Sequence, residues 1–264
     1  MPAGKSQYRK GEYPTFEDYS IYAQRVVLNG EFVQHSHDFD EIVLILCGTG
    51  EHLVGQRVYS LKRGDVFVIK GETRHGFRGA ENLELVNVMY DPRILLSGEG
   101  DLRAVAGFAY LFLVQPAIAQ QEEYPYAVFL DEDATETAST LCGFLIRQLE
   151  DCAGQYQVAV QYGFKTLAAS LANHYRTRED LSEKLGIFTR AVQYLQYNAA
   201  RPIKLQEVAE AAAVSQRHLE RVFFEVCGLS PIAYLLELRL RHPVTGEEMR
   251  FTAKMPRDFN RVFR

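Results

Sequence analysis

Three histidines and a glutamate in the first third of the chain have the types and spacing to do chemistry. His35, His37 and Glu41 stand in the pattern H-x-H-x3-E-x6-G, closed by Gly48, and His75 follows Gly64-Asp-Val-Phe-Val-Ile. Alternate residues of a strand share a face, so His35 and His37 are expected to point the same way. Glu41 keeps that parity, and His75 is expected to join from a neighbouring strand. Two or three imidazoles with one carboxylate suit iron, manganese, zinc or nickel, the donor set of a metal-dependent oxygenase or isomerase. The same four groups equally suit hydrogen bonds to the hydroxyls of a small sugar-like ligand in a metal-free pocket, or satisfy one another near a barrel mouth. We read them as an effector pocket needing no cofactor, and keep the metal enzyme as the alternative.

A second constellation lies near the other end. Leu205-Gln-Glu-Val-Ala-Glu-Ala-Ala puts Leu205, Val208, Ala209 and Ala212 on one helical face, and Ala213-Val214 makes a tight turn. Ser215 then suits an N-cap, its hydroxyl accepting from the backbone N–H of the third helical residue. In the helix that follows, Leu219, Val222, Phe223 and Val226 form an apolar face, and Gly228 suits a C′ position. Ser230-Pro231 opens the next helix, serine as cap and proline at the first helical position. Ser215, Gln216, Arg217, His218, Glu220 and Arg221 occupy the polar side of the middle helix. Glutamine can pair with adenine, and arginine with guanine or a phosphate, so this is the face of a recognition helix set into a major groove.

Other elements must position these groups. From about Tyr22 to Tyr90, short alternating runs are separated by turns, with breaks expected at Gly48-Thr-Gly50, Gly55-Gln56, Lys62–Asp65 and Lys70–Glu72. Such spacing predicts an antiparallel barrel or sandwich. Apolar residues then recur at intervals of three and four from Leu141, from Val158 to Tyr175 and from Leu185 to Asn198, predicting amphipathic helices. The fold class is therefore α+β, a β-barrel followed by helices and an all-α helix-turn-helix. The expected boundaries are 15–95 for the barrel, 96–176 for helices that are dimerisation candidates, 177–184 for a polar linker, 185–242 for the DNA-binding part and 243–264 for an atypical tail.

Bulk properties narrow the partners. Net charge is −5, but the stretch from Lys204 onward carries +2, leaving −7 before it. Only the C-terminal part is thus suited to phosphates. Cys47, Cys142, Cys152 and Cys227 form no C-x-x-C pair, so neither a disulfide framework nor a zinc knuckle is expected. No apolar run reaches the roughly 20 residues that span a bilayer, and no signal-type stretch follows the start. A cytoplasmic protein without membrane contact is expected.

Both halves resemble known families. The two front motifs are similar to those of cupins, small double-stranded β-barrels, although Lys70 and Glu72 stand where proline and glycine are usual. Leu205-x2-Val-Ala-x3-Ala-Val-Ser-x3-Leu-x-Arg-x-Phe-x4-Gly-Leu-Ser-Pro-x2-Tyr-x4-Arg resembles the AraC/XylS family of transcription regulators. Ala213 stands where that family often has glycine. His35-Ser-His-Asp-Phe-Asp-Glu-Ile-Val-Leu-Ile with Arg63-Gly-Asp-Val-Phe looks most like its L-rhamnose regulators. The resemblance implies a non-enzymatic regulator that binds a small effector, often a sugar, in the barrel, dimerises through the helices after it, and activates or represses a promoter on double-stranded DNA. That family carries a second helix-turn-helix. Here Pro243 and Thr245-Gly246 interrupt the expected helix, so one is expected, with weak DNA binding or a regulator that only dimerises or binds ligand. His242-Pro-Val-Thr-Gly-Glu-Glu-Met-Arg-Phe is also similar to the end of RNA pseudouridine synthases, whose catalytic part is absent.

Overall fold

The computed structural model describes residues 6–13, 16–95, 127–150, 157–174, 183–198, 201–227 and 229–240, with residues 102, 105, 107, 108, 111 and 112. Most of the expected linker, Gly228, Cys152 and the whole 243–264 tail lie outside the described residues. Seven strands are described: β1 (Gln7–Tyr8), β2 (Ile21–His37), β3 (Asp40–Val54), β4 (Arg57–Ser60), β5 (Asp65–Ile69), β6 (His75–Tyr90) and β7 (Ala127–Phe129). A short helix, α1 (Phe16–Tyr19), precedes β2. The sheet order is β1-β2-β6-β3-β5-β7, with β4 on β3, and every pairing is antiparallel except the parallel β1–β2.

Alternation sorts the strand residues onto two faces. Ile42, Leu44, Leu46, Val66, Val68, Val86 and Val88 pack beneath α2 (Glu132–Glu150) and α3 (Gln157–His174), against Leu145, Leu149, Phe164 and Leu167. Val43, Ile45, Phe67, Ile69, Phe77, Leu83 and Leu85 form the opposite, inner cluster. Glu41 pairs with Met89 at the far end of β6, yet its carboxylate lies 3.2 Å from the imidazole of His75 at the near end. Fourteen residues of straight strand would separate those ends by about 46 Å. The sheet therefore curls across itself, as the cupin-like fold requires.

The expected break at Gly48-Thr-Gly50 is not a break. β3 runs through it, with register shifts against β6 between Ile45 and Glu51. These are bulges, which bend a strand without ending it. Gly48 has φ +84°, and a Cβ there would sit 2.2 Å from the carbonyl oxygen of Asn82. Only glycine lets the two backbones meet so closely.

The C-terminal helices are α4 (Glu183–Asn198), α5 (Leu205–Ala211), α6 (Gln216–Cys227) and α7 (Pro231–Leu240). Glu183 and Lys184, read from sequence as the end of a polar linker, begin α4 instead. Their polarity belongs to a solvated first turn. A separate core joins Phe188, Val192 and Leu195 of α4 to Val208 and Ala209 of α5, to Leu219, Val222, Phe223 and Val226 of α6, and to Leu235 of α7. Leu205 is only partly buried at its edge.

Candidate functional site

The inner cluster ends in polar groups. His37 sits at the end of β2, and its ring stacks on Phe39. Its Nδ1 lies 2.6 Å from the Phe39 carbonyl oxygen and so carries the donated proton. That leaves Nε2 as a lone pair, 3.2 Å from His75 Nε2 and 3.4 Å from Glu41 Oε2. Glu41 opens β3, is 0% exposed, and neither carboxylate oxygen receives a hydrogen bond of good geometry. The close approaches to His37 and His75 are therefore contacts of misaligned groups and not hydrogen bonds. Glu41 does not share a strand with His35 and His37, so it reaches the site through the curl of the sheet and not by parity along one strand.

The donor atoms of His37, Glu41 and His75 all lie within 4.8 Å of one another. His35 is not among them. It faces His75 across the β2–β6 ladder, at 4.4 Å between ring centroids. Its Nδ1 lies 3.2 Å from the carbonyl oxygen of Val33 and donates there, while Nε2 is buried without a partner. The sequence grouped four residues. The structure gathers three of them and sets His35 beside them.

Two imidazoles and one carboxylate fit a divalent transition-metal ion. The surroundings fit too, because the Phe39 carbonyl fixes the His37 tautomer with Nε2 directed at the cluster. His37, Glu41 and His75 would hold such an ion, which when bound would neutralise the Glu41 charge and offer open positions to a ligand oxygen.

Sequence reasoning missed His52. Its Nε2 is 3.2 Å from His75 Nδ1, and its ring stacks on Phe77. Counted by alternation from Glu41, His52 belongs on the outer face, and the bulges in β3 reverse that parity. Burial is the first cause holding the His35, His52 and His75 imidazoles below their ordinary range, His52 at about 3. Neighbouring histidines add to the effect at His52 and His75, and at His35 the Glu41 carboxylate opposes it.

Asn87 was also missed. On β6, Leu83, Leu85, Asn87 and Met89 alternate inward, and a lone amide among apolar residues is a signal that the pattern contained. A cavity of about 260 Å³ is lined by Val26, Leu28, Phe32, His35, His75, Phe77, Leu85 and Asn87, among others. Asn87 Oδ1 is buried there without a hydrogen bond, as is His35 Nε2. Tyr8 of β1 packs edge-on against His35 at 4.9 Å, so the N-terminal strand also touches this site.

The polar residues from Ser215 to Arg221 lie where the sequence put them. Ser215 Oγ accepts from the backbone N–H of His218 at 3.2 Å, capping α6. Gln216, Arg217, Glu220 and Arg221 are exposed, and His218 is half-buried. The turn before them closes with Val214 N–H donating to Ala209 O and Ala213 N–H to Glu210 O, both at 3.0 Å. That is the double bond of a Schellman motif, with Ala213 at the left-handed position, φ +58°. Arg190 of α4 donates to the Ala212 carbonyl at 3.1 Å and ties the turn to the core.

Residues 23–136 match the AraC-like ligand binding domain family. The chain is 27% identical over 217 residues to the HTH-type transcriptional activator RhaR of Klebsiella pneumoniae subsp. pneumoniae, a match covering 80% of this chain and 72% of that one. Both matches support a transcription regulator similar to the AraC family. The Escherichia coli O139:H28 activator RhaR is similar at 25% identity over 213 residues, again 80% of this chain and 72% of its own. The solved AraC-like transcriptional activator CuxR is 13% identical, covers 86% of this chain and 78% of its own, and superposes with a TM-score of 0.37. These relatives are transcription activators by name, which supports a regulator over the oxygenase and isomerase alternatives raised by its histidines. No helix among the described residues is long and apolar enough to cross a membrane.

Proposed function

We propose that the regulator binds a small polyhydroxyl effector, a sugar, in the cavity beside His35 and Asn87, and thereby controls reading of promoter DNA by α6. One observation carries the effector assignment. Two buried acceptors, His35 Nε2 and Asn87 Oδ1, face a cavity without partners. An unmet buried polar group costs about 1–3 kcal/mol, and a ligand hydroxyl donating to each would recover that. Phe32 and Phe77 supply the apolar wall that sugar C–H faces favour. Titration calorimetry with L-rhamnose and a panel of monosaccharides tests this, and absence of heat across the panel refutes it. Ser215, Gln216, Arg217, His218, Glu220 and Arg221 form the proposed DNA-reading face, acting in the cytoplasm. Gel shifts on promoter fragments with Arg217→Ala test that role, and unchanged binding would remove Gln216 and Arg217 from it.

A second reading concerns the neighbouring cluster. The Glu41 carboxyl group is wholly buried, accepts no hydrogen bond, and faces imidazole nitrogens. A divalent cation at His37, Glu41 and His75 would supply the missing positive charge. Elemental analysis of purified protein checks it, and a metal-free protein that still binds sugar sinks it.

A further inference from the structure

The polar face of α6 contains one residue of the wrong chemistry for a solvated surface. Phe224 is 71% exposed. It stands seven residues after Arg217, four after Glu220 and three after Arg221, so the four side chains form a single stripe on α6. That spacing of 0, +3, +4 and +7 is the one at which the homeodomain recognition helix presents residues to base edges in the major groove. At 1.5 Å per residue, Phe224 lies about 10 Å along the axis from Arg217, about three base steps onward.

Among the described residues, no other large apolar side chain on α6 is exposed. The rest of the stripe is arginine, glutamate and arginine, and all three are exposed. A docked protein would have to cover those charges around a single ring. A major groove instead offers phosphates and guanine edges to the arginines, the cytosine amino group to the glutamate, and one apolar feature, the thymine 5-methyl group.

We propose that Phe224 is a specificity-determining residue that packs on a thymine methyl in the regulator's DNA site. The proposal rests on α6 being the reading helix. Glu225, next along the helix, pairs with Lys184 of α4 at 2.7 Å and lies 4.0 Å from Arg221, so its charge is met by cations on both sides.

The test uses the full chain and random duplex DNA. Sites are selected with the wild-type protein, and each thymine of the selected site is then replaced singly by uracil, which lacks only the methyl group. Affinities are measured for wild type and for Phe224→Ala, whose fold is checked by circular dichroism. The expected result is one thymine whose replacement weakens the wild type roughly fourfold, the worth of one buried methyl, and leaves Phe224→Ala unaffected. If a sequence is selected but no replacement separates the two proteins, the thymine contact is overturned while reading by α6 stands. If no sequence is enriched, both readings fall. If Phe224→Ala keeps the wild-type uracil pattern but changes oligomeric state, Phe224 faces protein and the proposal is overturned.

Discussion

At the scale of single residues, orientation decides function more than identity does. His35 and His37 are the same side chain, yet their backbone partners give them different tasks. His37 is turned by the Phe39 carbonyl into the cluster with Glu41, while His35 is turned by the Val33 carbonyl to leave Nε2 for the cavity. Asn87 shares that cavity, and its substitution separates binding from folding. Asn87→Leu removes a buried acceptor that has no protein partner, so stability is expected to hold or rise in thermal melts. Sugar affinity is expected to fall about tenfold, the loss of one satisfied buried hydrogen bond. Calorimetry that shows unchanged affinity would place the effector elsewhere. Glu41→Gln is the complementary change, and is expected to abolish retention of a divalent ion, read by elemental analysis, while leaving the cavity in place. The histidine pattern made three of these residues legible in the sequence. His52 was not, because a bulge between Ile45 and Glu51 inverts the alternation that any count from Glu41 assumes.

At the scale of elements, turns and caps were more legible than breaks. Ser215 caps α6 and Ser230 caps α7 through the bonds that their spacing requires, Ser230 Oγ accepting from Ala233 N–H at 3.1 Å. Gly48 was misread because glycine serves both turns and close backbone approach, and only the neighbouring strand distinguishes them. Ala213 shows the cost of a missing glycine. A left-handed alanine costs about 1–2 kcal/mol, while glycine's extra freedom in the unfolded chain costs about 0.4–1 kcal/mol. Ala213→Gly is therefore expected to stabilise by about 0.5–1 kcal/mol in denaturant unfolding, and Ser215→Ala to destabilise by about 1 kcal/mol. The approach to β1 has a pH signature. Burial alone would raise the Asp91 pKa, but hydrogen bonds from Arg93 and Lys10 outweigh it and hold the carboxyl at about 2, below its ordinary 3.8. A depressed carboxylate stabilises above its unfolded pKa, and that contribution fades as pH falls through the folded value. The stability advantage of wild type over Asp91→Asn is thus expected to be constant above about pH 4 and to vanish towards pH 2, in acid titrations followed by circular dichroism.

At the scale of the whole molecule, charge and exposed apolar surface suggest how two copies meet DNA. The stretch from Lys204 carries +2 against −7 before it, so phosphate attraction is confined to one end, and the described helices there form one helix-turn-helix. A head of that size that neutralises roughly three or four phosphates gives a slope of about −3 to −4 in log affinity against log salt. Affinity that hardly changed between 50 and 200 mM salt would contradict this account. Useful affinity would then come from pairing two heads, and α2 and α3 are the elements proposed to pair. Their inner faces are spent on the sheet, leaving the question of what remains outside. On α2 the exposed positions are mainly polar, including Glu132, Asp133, Glu136, Thr137 and Arg147. On α3, Val158 and Tyr162 are 66% and 47% exposed and one turn apart, with exposed Thr166 a turn further on. That strip faces away from the sheet and is the surface proposed for a second copy. Val158→Glu with Tyr162→Glu places two charges there without touching the buried face, so the monomer is expected to fold and melt as before. Sedimentation should show the dimer of the wild type replaced by monomer, and promoter binding should weaken by a hundredfold or more, as two linked heads become one. A wild type that sediments as a monomer, or a variant that stays dimeric, would move the partner surface off α3.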